Sequence, residues 1–387
     1  MIYLDHNATT PLDPRVLAAM RSSLEDHFGN PSSGHAYGAA AAAAVAAARA
    51  RVADLLGCQP AQVTFTGGGT ESNNLAVIGA VAARGGTGHL IVSVIEHPSV
   101  LATCRHLERR CGCAVTYLPV DGDGRVDPDD VARALTPATV VVSVMHANNE
   151  TGVLQPIAEI ARAIRGHGAL LHTDAAQSVG KVSARVDDLG ADLLTVAGHK
   201  LYGPKGVGAL YVRDGVAVHS VLHGAGQEHG LRPGTENVAG IVGLGAASAL
   251  ATEVLPDEVD RMAALRDRLW HALCADGWLR NGHSREVLPN TLNVSVDGVD
   301  GDELLAQAPE VAASTGSACH TGRMEPSAVL TAMGLPGERA LGAVRLSLGR
   351  RTTEADVDLA SGALVRAASL VRGTAARGTP RTATVRR

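Results

Sequence analysis

From about residue 60 to residue 215 the chain repeats one pattern: a short β-rich apolar run, a break carrying glycine or a polar side chain, then an amphipathic stretch. The apolar runs are Val63–Thr66, His89–Val94, Ala114–Leu118, Val140–Met145, Ala169–Thr173, Leu193–Ala197 and Gly208–Val212. Strands alternating with helical stretches predict an α/β fold with a mostly parallel central sheet covered by helices. In such a sheet, ligand-facing loops sit where the strands end, so the residues after each run are the first candidates for chemistry.

At 387 residues the chain exceeds what one hydrophobic core organises comfortably, so a large lobe with a smaller companion is expected. The pattern changes around Leu255-Pro256-Asp257. Beyond it the sequence predicts a long helix, strands at Thr291–Val296 and Val344–Leu348, helices near Gly301–Gln307 and Glu325–Met333, and a last helix over Thr353–Val371. The expected division is a large lobe over 13–254, a smaller α+β lobe from 1–12 plus 255–372, and a tail from Gly373 to Arg387. That tail, rich in Gly, Thr, Pro, Ala and Arg, reads as disordered and solvated. Ala39–Ala50 is read as helix from alanine propensity.

A formal charge of -5 creates no field that would gather nucleic acid or an anionic membrane. No apolar run has the length of a membrane span and the N-terminus lacks the features of a signal peptide, which gives a cytoplasmic expectation. Six cysteines without a repeating spacing argue against a disulfide framework, and Cys111-Gly112-Cys113 lacks the two-residue gap of a zinc knuckle. No metal site is expected.

Taken singly, the strand-end motifs have plain structural readings. Gly67-Gly68-Gly69-Thr70 before a helix starting near Leu75 is a tight turn or a phosphate cradle. His97 in Glu96-His97-Pro98 is a structural or a catalytic histidine, and Asn148-Asn149 makes a turn or binds a ligand. Asp174 ends an apolar strand, where a carboxylate calls for a cationic partner. Lys200, in Gly198-His199-Lys200, is a surface lysine or a desolvated amine able to form a Schiff base. Together they have one chemical meaning: phosphate cradle, ring-stacking histidine, carboxylate for a pyridinium nitrogen and Schiff-base lysine are the parts of a pyridoxal 5'-phosphate site.

Ten motifs carry a resemblance in their order along the chain: LDHNATTPL, FGNPSSGHAYG, VTFTGGGTESNN, EHPSV, HANNETGV, HTDAAQSVGK, GHKLYGPKGVGAL, RPGTEN, STGSACHTG and VRLSLGR. Over nearly all of residues 3–360 the chain resembles the cysteine desulfurases of the class V aminotransferase group, pyridoxal-phosphate enzymes of fold type I. The resemblance implies that Lys200 holds the cofactor, Asp174 pairs with its ring nitrogen, and His97 stacks on the ring as an acid/base group. It implies further that Gln177 and Asn149 face the phenolic oxygen, and that Gly69, Thr70 and His199 contact the phosphate, with Thr235 supplied across a homodimer interface. Arg345 would take the substrate carboxylate, helped by Asn30 and Asn149. Cys319 would receive the sulfur of L-cysteine as a persulfide and pass it to an acceptor protein, such as an iron-sulfur scaffold or a thiolation enzyme, leaving alanine.

Cys319 lies in Ser314-Thr315-Gly316-Ser317-Ala318-Cys319-His320, a small-residue segment whose length up to Glu325-Pro326-Ser327 resembles the longer-loop desulfurases. One departure is plain: many family members carry serine where this chain has Ala197. The Ala-Cys-His context is also similar to selenocysteine lyases, which keeps release of selenide from selenocysteine as the rival activity. A catalytically silent sulfur-carrier scaffold is the alternative of another class.

Overall fold

The structure, a computed structural model, describes residues 1–26, 28–316, 318–320 and 323–376, with only the backbone described for 318–320, 323, 324 and 374–376. Seven strands form the large sheet, in the spatial order Val63–Thr66, Gly208–Val212, Leu193–Ala197, Leu170–Asp174, Thr139–Ser143, His89–Ser93, Ala114–Leu118. Six run parallel, and Gly208–Val212 is antiparallel to both its neighbours. The predicted mostly parallel α/β sheet is therefore present, and its strands read as continuous apolar runs because helices bury both faces. From His89–Ser93 the chain crosses outward to the edge strand Ala114–Leu118, then returns to Thr139–Ser143 on the other side. This reversal opens a crevice at the carboxyl ends of the strands, the place where such sheets receive ligands.

A helix of 37 residues, Val238–Cys274, links the two cores. Ile241, Leu244, Ala247 and Ala251 belong to the core of the large sheet. Met262, Leu265, Leu269 and Leu273 belong to a second core built on the antiparallel sheet Ser314–Thr315, Val344–Ser347, Thr291–Ser295, Leu279–Arg280. Pro256 lies inside the helix, between these two sets. The sequence pattern predicts a helix only from about residue 255, because the first half has no amphipathic period: it is buried on most of its surface and filled with glycine and alanine. Its partner is the alanine-rich helix, which runs over Ala36–Leu56. A Cβ on Gly245 would sit 2.6 Å from Ala48 Cα, so small residues on both sides are what let the two helices touch.

The N-terminus joins the second core. Ile2–Tyr3 pairs in parallel with Val311–Ala312, and Leu4 is fully buried among the residues of that lobe. Two expectations need correction there. The helix read over Glu325–Met333 is a strand, Arg323–Glu325, followed by the helix Ala328–Ala332, because Ser327 caps the new helix just past Pro326. The last helix runs over Glu354–Ala376 and so takes in Gly373 and the first residues of the expected tail; residues 377–387 lie outside the described residues.

Candidate active site

The glycine turn is shorter than the sequence suggests. Only Gly67 and Gly68 precede the helix Gly69–Ala83, which starts six residues earlier than Leu75. Gly68 has φ 144°, a conformation that glycine alone adopts freely. A Cβ on Gly69 would meet the Ala197 methyl at 3.3 Å, so the helix start lies directly against the strand that leads to Lys200. The first helical N–H groups, those of Gly69 and Thr70, have no carbonyl to reach by helix geometry, and they form the positive end of the helix dipole. Glu71 turns away, accepting from Gly67 N at 2.9 Å and from Arg232 Nε at 3.0 Å.

Asp174, the last residue of its strand, is 5% exposed. Its carboxylate accepts from Asn73 Nδ2 at 2.7 Å and from Ala176 N at 2.9 Å, and it forms no ion pair among the described residues. The Asn73 amide also donates to Ser99 Oγ at 2.8 Å. Ser99 in turn addresses His97 Nδ1 twice, from its hydroxyl at 2.8 Å and from its backbone N–H at 3.1 Å. A ring nitrogen that accepts carries no proton, so neutral His97 holds its proton on Nε2. Burial, assisted by Lys200 and opposed by Asp174, lowers the proton affinity of His97 and favours that neutral form.

Lys200 ends the single turn Gly198–Lys200. Its amine donates to two backbone oxygens from the other end of the chain, Asn7 O at 2.5 Å and Ala8 O at 2.8 Å. Burial and then the Arg345 guanidinium bring the Lys200 amine down to about 8, against the pull of Asp174 and Asp5. The turn itself is pinned by Thr10, which donates through both its N–H and its hydroxyl to His199 O. His199 Nδ1 meets Thr9 Oγ1 at 3.1 Å, and burial holds this imidazole down to about 4. Just beyond, Tyr202 adopts φ 65°, a costly conformation for a non-glycine residue. Arg350 holds it there, with its N–H on the phenol oxygen and its guanidinium 4.3 Å from the ring centre.

Asn7 is the hub of this floor. Besides Lys200, its carbonyl oxygen accepts from Gln177 Nε2 at 2.9 Å, and its side-chain oxygen accepts from Lys181 Nζ at 3.0 Å. Its amide nitrogen donates to Thr291 Oγ1 at 2.9 Å in the smaller lobe. On the opposite wall Arg345 reaches in from the strand Val344–Ser347, its Nη2 2.7 Å from Asp5 Oδ1 and its Nη1 3.0 Å from Asn149 O. Arg345 Nε is buried with no partner among the described residues, so the guanidinium keeps an unspent donor.

These groups line one cavity of about 450 Å³. Gly69, Thr70, His97, Asn149, Asp174, Gln177, His199, Lys200 and Arg345 all border it, as does Ala197. The two neighbouring asparagines divide their work, since Asn148 Oδ1 makes the turn by accepting from Glu150 N and Thr151 N while Asn149 faces the cavity. Asn30 does not reach the cavity: it is exposed and caps its own turn, accepting from Ser32 N at 2.9 Å. Thr235 is also exposed and borders a separate hollow of about 150 Å³ with Gly67 and Arg232. The backbone of Cys319 lies in a two-stranded antiparallel hairpin, Ala318–His320 against Arg323–Glu325, where the sequence suggests an irregular loop. Its side chain lies outside the described residues. Each flank of the hairpin is tied to a neighbour of the cavity lining: Ser314 Oγ to Asp5 Oδ1, the partner of Arg345, at 2.9 Å, and Ser327 Oγ to Glu150 Oε2, next to Asn149, at 2.5 Å. Among the other cysteines, burial pushes the thiols of Cys58 and Cys104 up to about 12, which keeps them protonated and unreactive.

Five contributors escape the sequence reading: Asp5, Asn7, Asn73, Ser99 and Lys181. Asn7 and Asn73 are each 1% exposed, and a polar residue so buried must be bonded, but burial is not visible in a string of letters.

The chain matches the family model for aminotransferase class-V over residues 2–359. It is 45% identical over 363 residues to a protein named cysteine desulfurase IscS from Dictyoglomus turgidum, covering 92% of each chain. Among solved structures it is similar to a NifS-like protein, with TM-score 0.89 and 36% identity, covering 95% of this chain and 99% of that one. It is also similar to SspA in complex with cysteine, with TM-score 0.80 and 40% identity, covering 90% of this chain and 99% of that one.

Proposed function

The chain belongs to the aminotransferase class-V family, and from that premise we propose that it is a pyridoxal-phosphate-dependent cysteine desulfurase, converting L-cysteine to L-alanine and passing the sulfur on through Cys319. The observation that carries the reading is the joining, in one cavity, of a lysine amine lowered to about 8 with a buried carboxylate that has no cationic partner among the described residues.

Pyridoxal 5'-phosphate fits the donors present. Asp174 lacks the cation a buried carboxylate calls for, and a protonated ring nitrogen supplies one. The free N–H groups at Gly69 and Thr70 suit a phosphate, with His199 beside them and Thr235 contributed by a second copy of the chain. When bound, the cofactor supplies an electron sink for the bonds at the substrate α-carbon.

The residues have separable tasks. Lys200, with a substantial neutral fraction near pH 8, is the covalent anchor and then the base at the α-carbon. Asn7 O and Ala8 O aim its amine. Asp174 pairs with the ring nitrogen, and Asn73 and Ala176 fix its carboxylate in place by donating to it. His97 offers Nε2–H to the cavity while Ser99 fixes its tautomer. Arg345, which borders the cavity, receives the substrate carboxylate through guanidinium N–H groups that its bonds to Asp5 and Asn149 leave free. The Cys319 thiolate attacks the substrate sulfur, the carbon–sulfur bond breaks, and the persulfide left on Cys319 goes to a sulfur-acceptor protein.

Incubation with cysteine and a reductant, with sulfide and alanine measured, tests the reading. Wild type should yield both, and Cys319→Ala should lose sulfide from cysteine while keeping the visible absorbance of bound cofactor. Equal sulfide from both proteins would rule out the persulfide. Selenocysteine as a parallel substrate separates the rival activity, since selenide can leave without the thiol.

A further inference from the structure

Lys181 has no part in the chemistry above, yet its amine is directed into the floor of the site. It lies four residues after Gln177, past a turn at Gly180 with φ 77°. A Cβ at Gly180 would sit 3.2 Å from Leu201 Cβ and 3.3 Å from Ala251 Cβ, so the chain bends tightly there and carries Lys181 back beneath Gln177. The amine donates to Gln177 Oε1 at 2.9 Å and to Asn7 Oδ1 at 3.0 Å. No carboxylate pairs with it among the described residues. The charged and titratable groups that face it are Lys200 and His199 from the lysine turn, Arg345 from the small sheet and His6 from the N-terminal segment. Burial first, then Lys200 and Arg345, hold its proton affinity well below that of an ordinary lysine.

Two obligations fix the Gln177 amide. The Lys181 amine donates to Gln177, so the atom of Gln177 facing it is the oxygen. The Asn7 carbonyl can only accept, so the atom facing it must be the nitrogen. With both satisfied, Gln177 is held at both ends of its amide, and the residue borders the cavity beside Lys200. Remove the Lys181 contact and one of the two locks is gone.

We propose that Lys181 is a positioning residue: by holding Gln177 Oε1 and Asn7 Oδ1 it keeps an amide donor, rather than an acceptor, turned toward the cofactor's anionic oxygen and steadies the carbonyl that aims Lys200. The proposal rests on the pyridoxal-phosphate reading given above. Donation to an anionic oxygen spreads its charge and loosens the proton it shares, so losing the lock makes the cofactor hold that proton more tightly.

The test is a pH titration of the visible absorbance of the holoenzyme, independent of turnover. In Lys181→Met the midpoint should rise by roughly half a unit to one unit, the size of one ordinary net hydrogen bond. In a Gln177→Ala background the same substitution should move it far less, because the amide it acts through is gone. Lys181→Gln, which keeps an N–H donor without the amine, should stay near the wild-type midpoint. Should circular dichroism show Lys181→Met unfolded, Lys181→Ala replaces it with the same expectations. An unchanged midpoint in Lys181→Met overturns the proposal, and so does an equal shift with and without Gln177, which would make Lys181 act through its charge alone. No visible band in wild type would instead overturn the cofactor reading, and this inference with it.

Discussion

Asp5 Oδ1 and Arg345 Nη2 are 2.7 Å apart, a pair that joins the N-terminal segment to a strand 340 residues later and ties up one side of the guanidinium that faces the cavity. The two charges act on Lys200 in opposite directions: Arg345 lowers its proton affinity and Asp5 raises it.

Arg345→Met should therefore shift Lys200 titration upward from about 8, and Asp5→Asn should shift it downward. Both should raise the KM for cysteine, by roughly 10- to 100-fold for Arg345→Met, the span of a lost charge-assisted hydrogen bond. For Asp5→Asn the rise is smaller, since the guanidinium is loosened and not removed. The pH dependence of cofactor capture by the apoenzyme reads the first effect and steady-state kinetics the second. Shifts of the same sign would contradict the assignment.

Asn73 stands between Asp174 and Ser99, bonded to both. Asn73→Ala takes one of the two donors that hold the carboxylate in place, so the cofactor should bind about 10-fold more weakly. Equilibrium dialysis of cofactor against apoenzyme measures it. Cofactor affinity equal to wild type would mean that the Asn73 contact is idle.

Ala197 borders the cavity next to the start of the helix Gly69–Ala83. Ala197→Ser adds a hydroxyl in this place and should tighten cofactor binding by about 2- to 10-fold, the worth of one net hydrogen bond. Slower loss of cofactor on dilution is the readout. Weaker binding would show that the methyl is needed for packing against Gly69.

Glu228 is buried and meets Arg49 through both carboxylate oxygens at 2.7 Å, while also accepting from Phe65 N at 2.8 Å. Glu228→Ala leaves the Arg49 charge and the Phe65 N–H unpaired together. A loss of about 3 kcal/mol in unfolding free energy is expected, measured by urea denaturation of the apoenzyme. Because Phe65 lies on the strand that enters the glycine turn, cofactor affinity should fall as well.

The strand ends explain what the sequence reveals of this site. Lys200, Asp174, His97 and Gly69 each follow an apolar run, and parallel strands bring their carboxyl ends together whatever loops lie between. Asn7 follows no such run. Its link to Lys200 spans 193 residues and passes through a backbone carbonyl, which every residue possesses and no letter marks. Lys181 was equally silent, since an amine four residues after Gln177 looks like an exposed helix or turn lysine until its surroundings are known. The helix Val238–Cys274 was half legible for a related reason: amphipathic periodicity appears where one face meets water, and the first half has little such face.

Leu4 packs in the second core with Val344, Leu346 and Leu364. The N-terminal segment therefore finds these partners only after residues about 340 positions later have been made. The large sheet can assemble as it emerges, as N-terminal units do during synthesis, but Asn7 cannot be set under Lys200 until Val311 and Ser347, which anchor the N-terminal segment, exist. The lysine pocket is therefore completed late, so a product stalled before Ser347 holds its Lys200 unaimed.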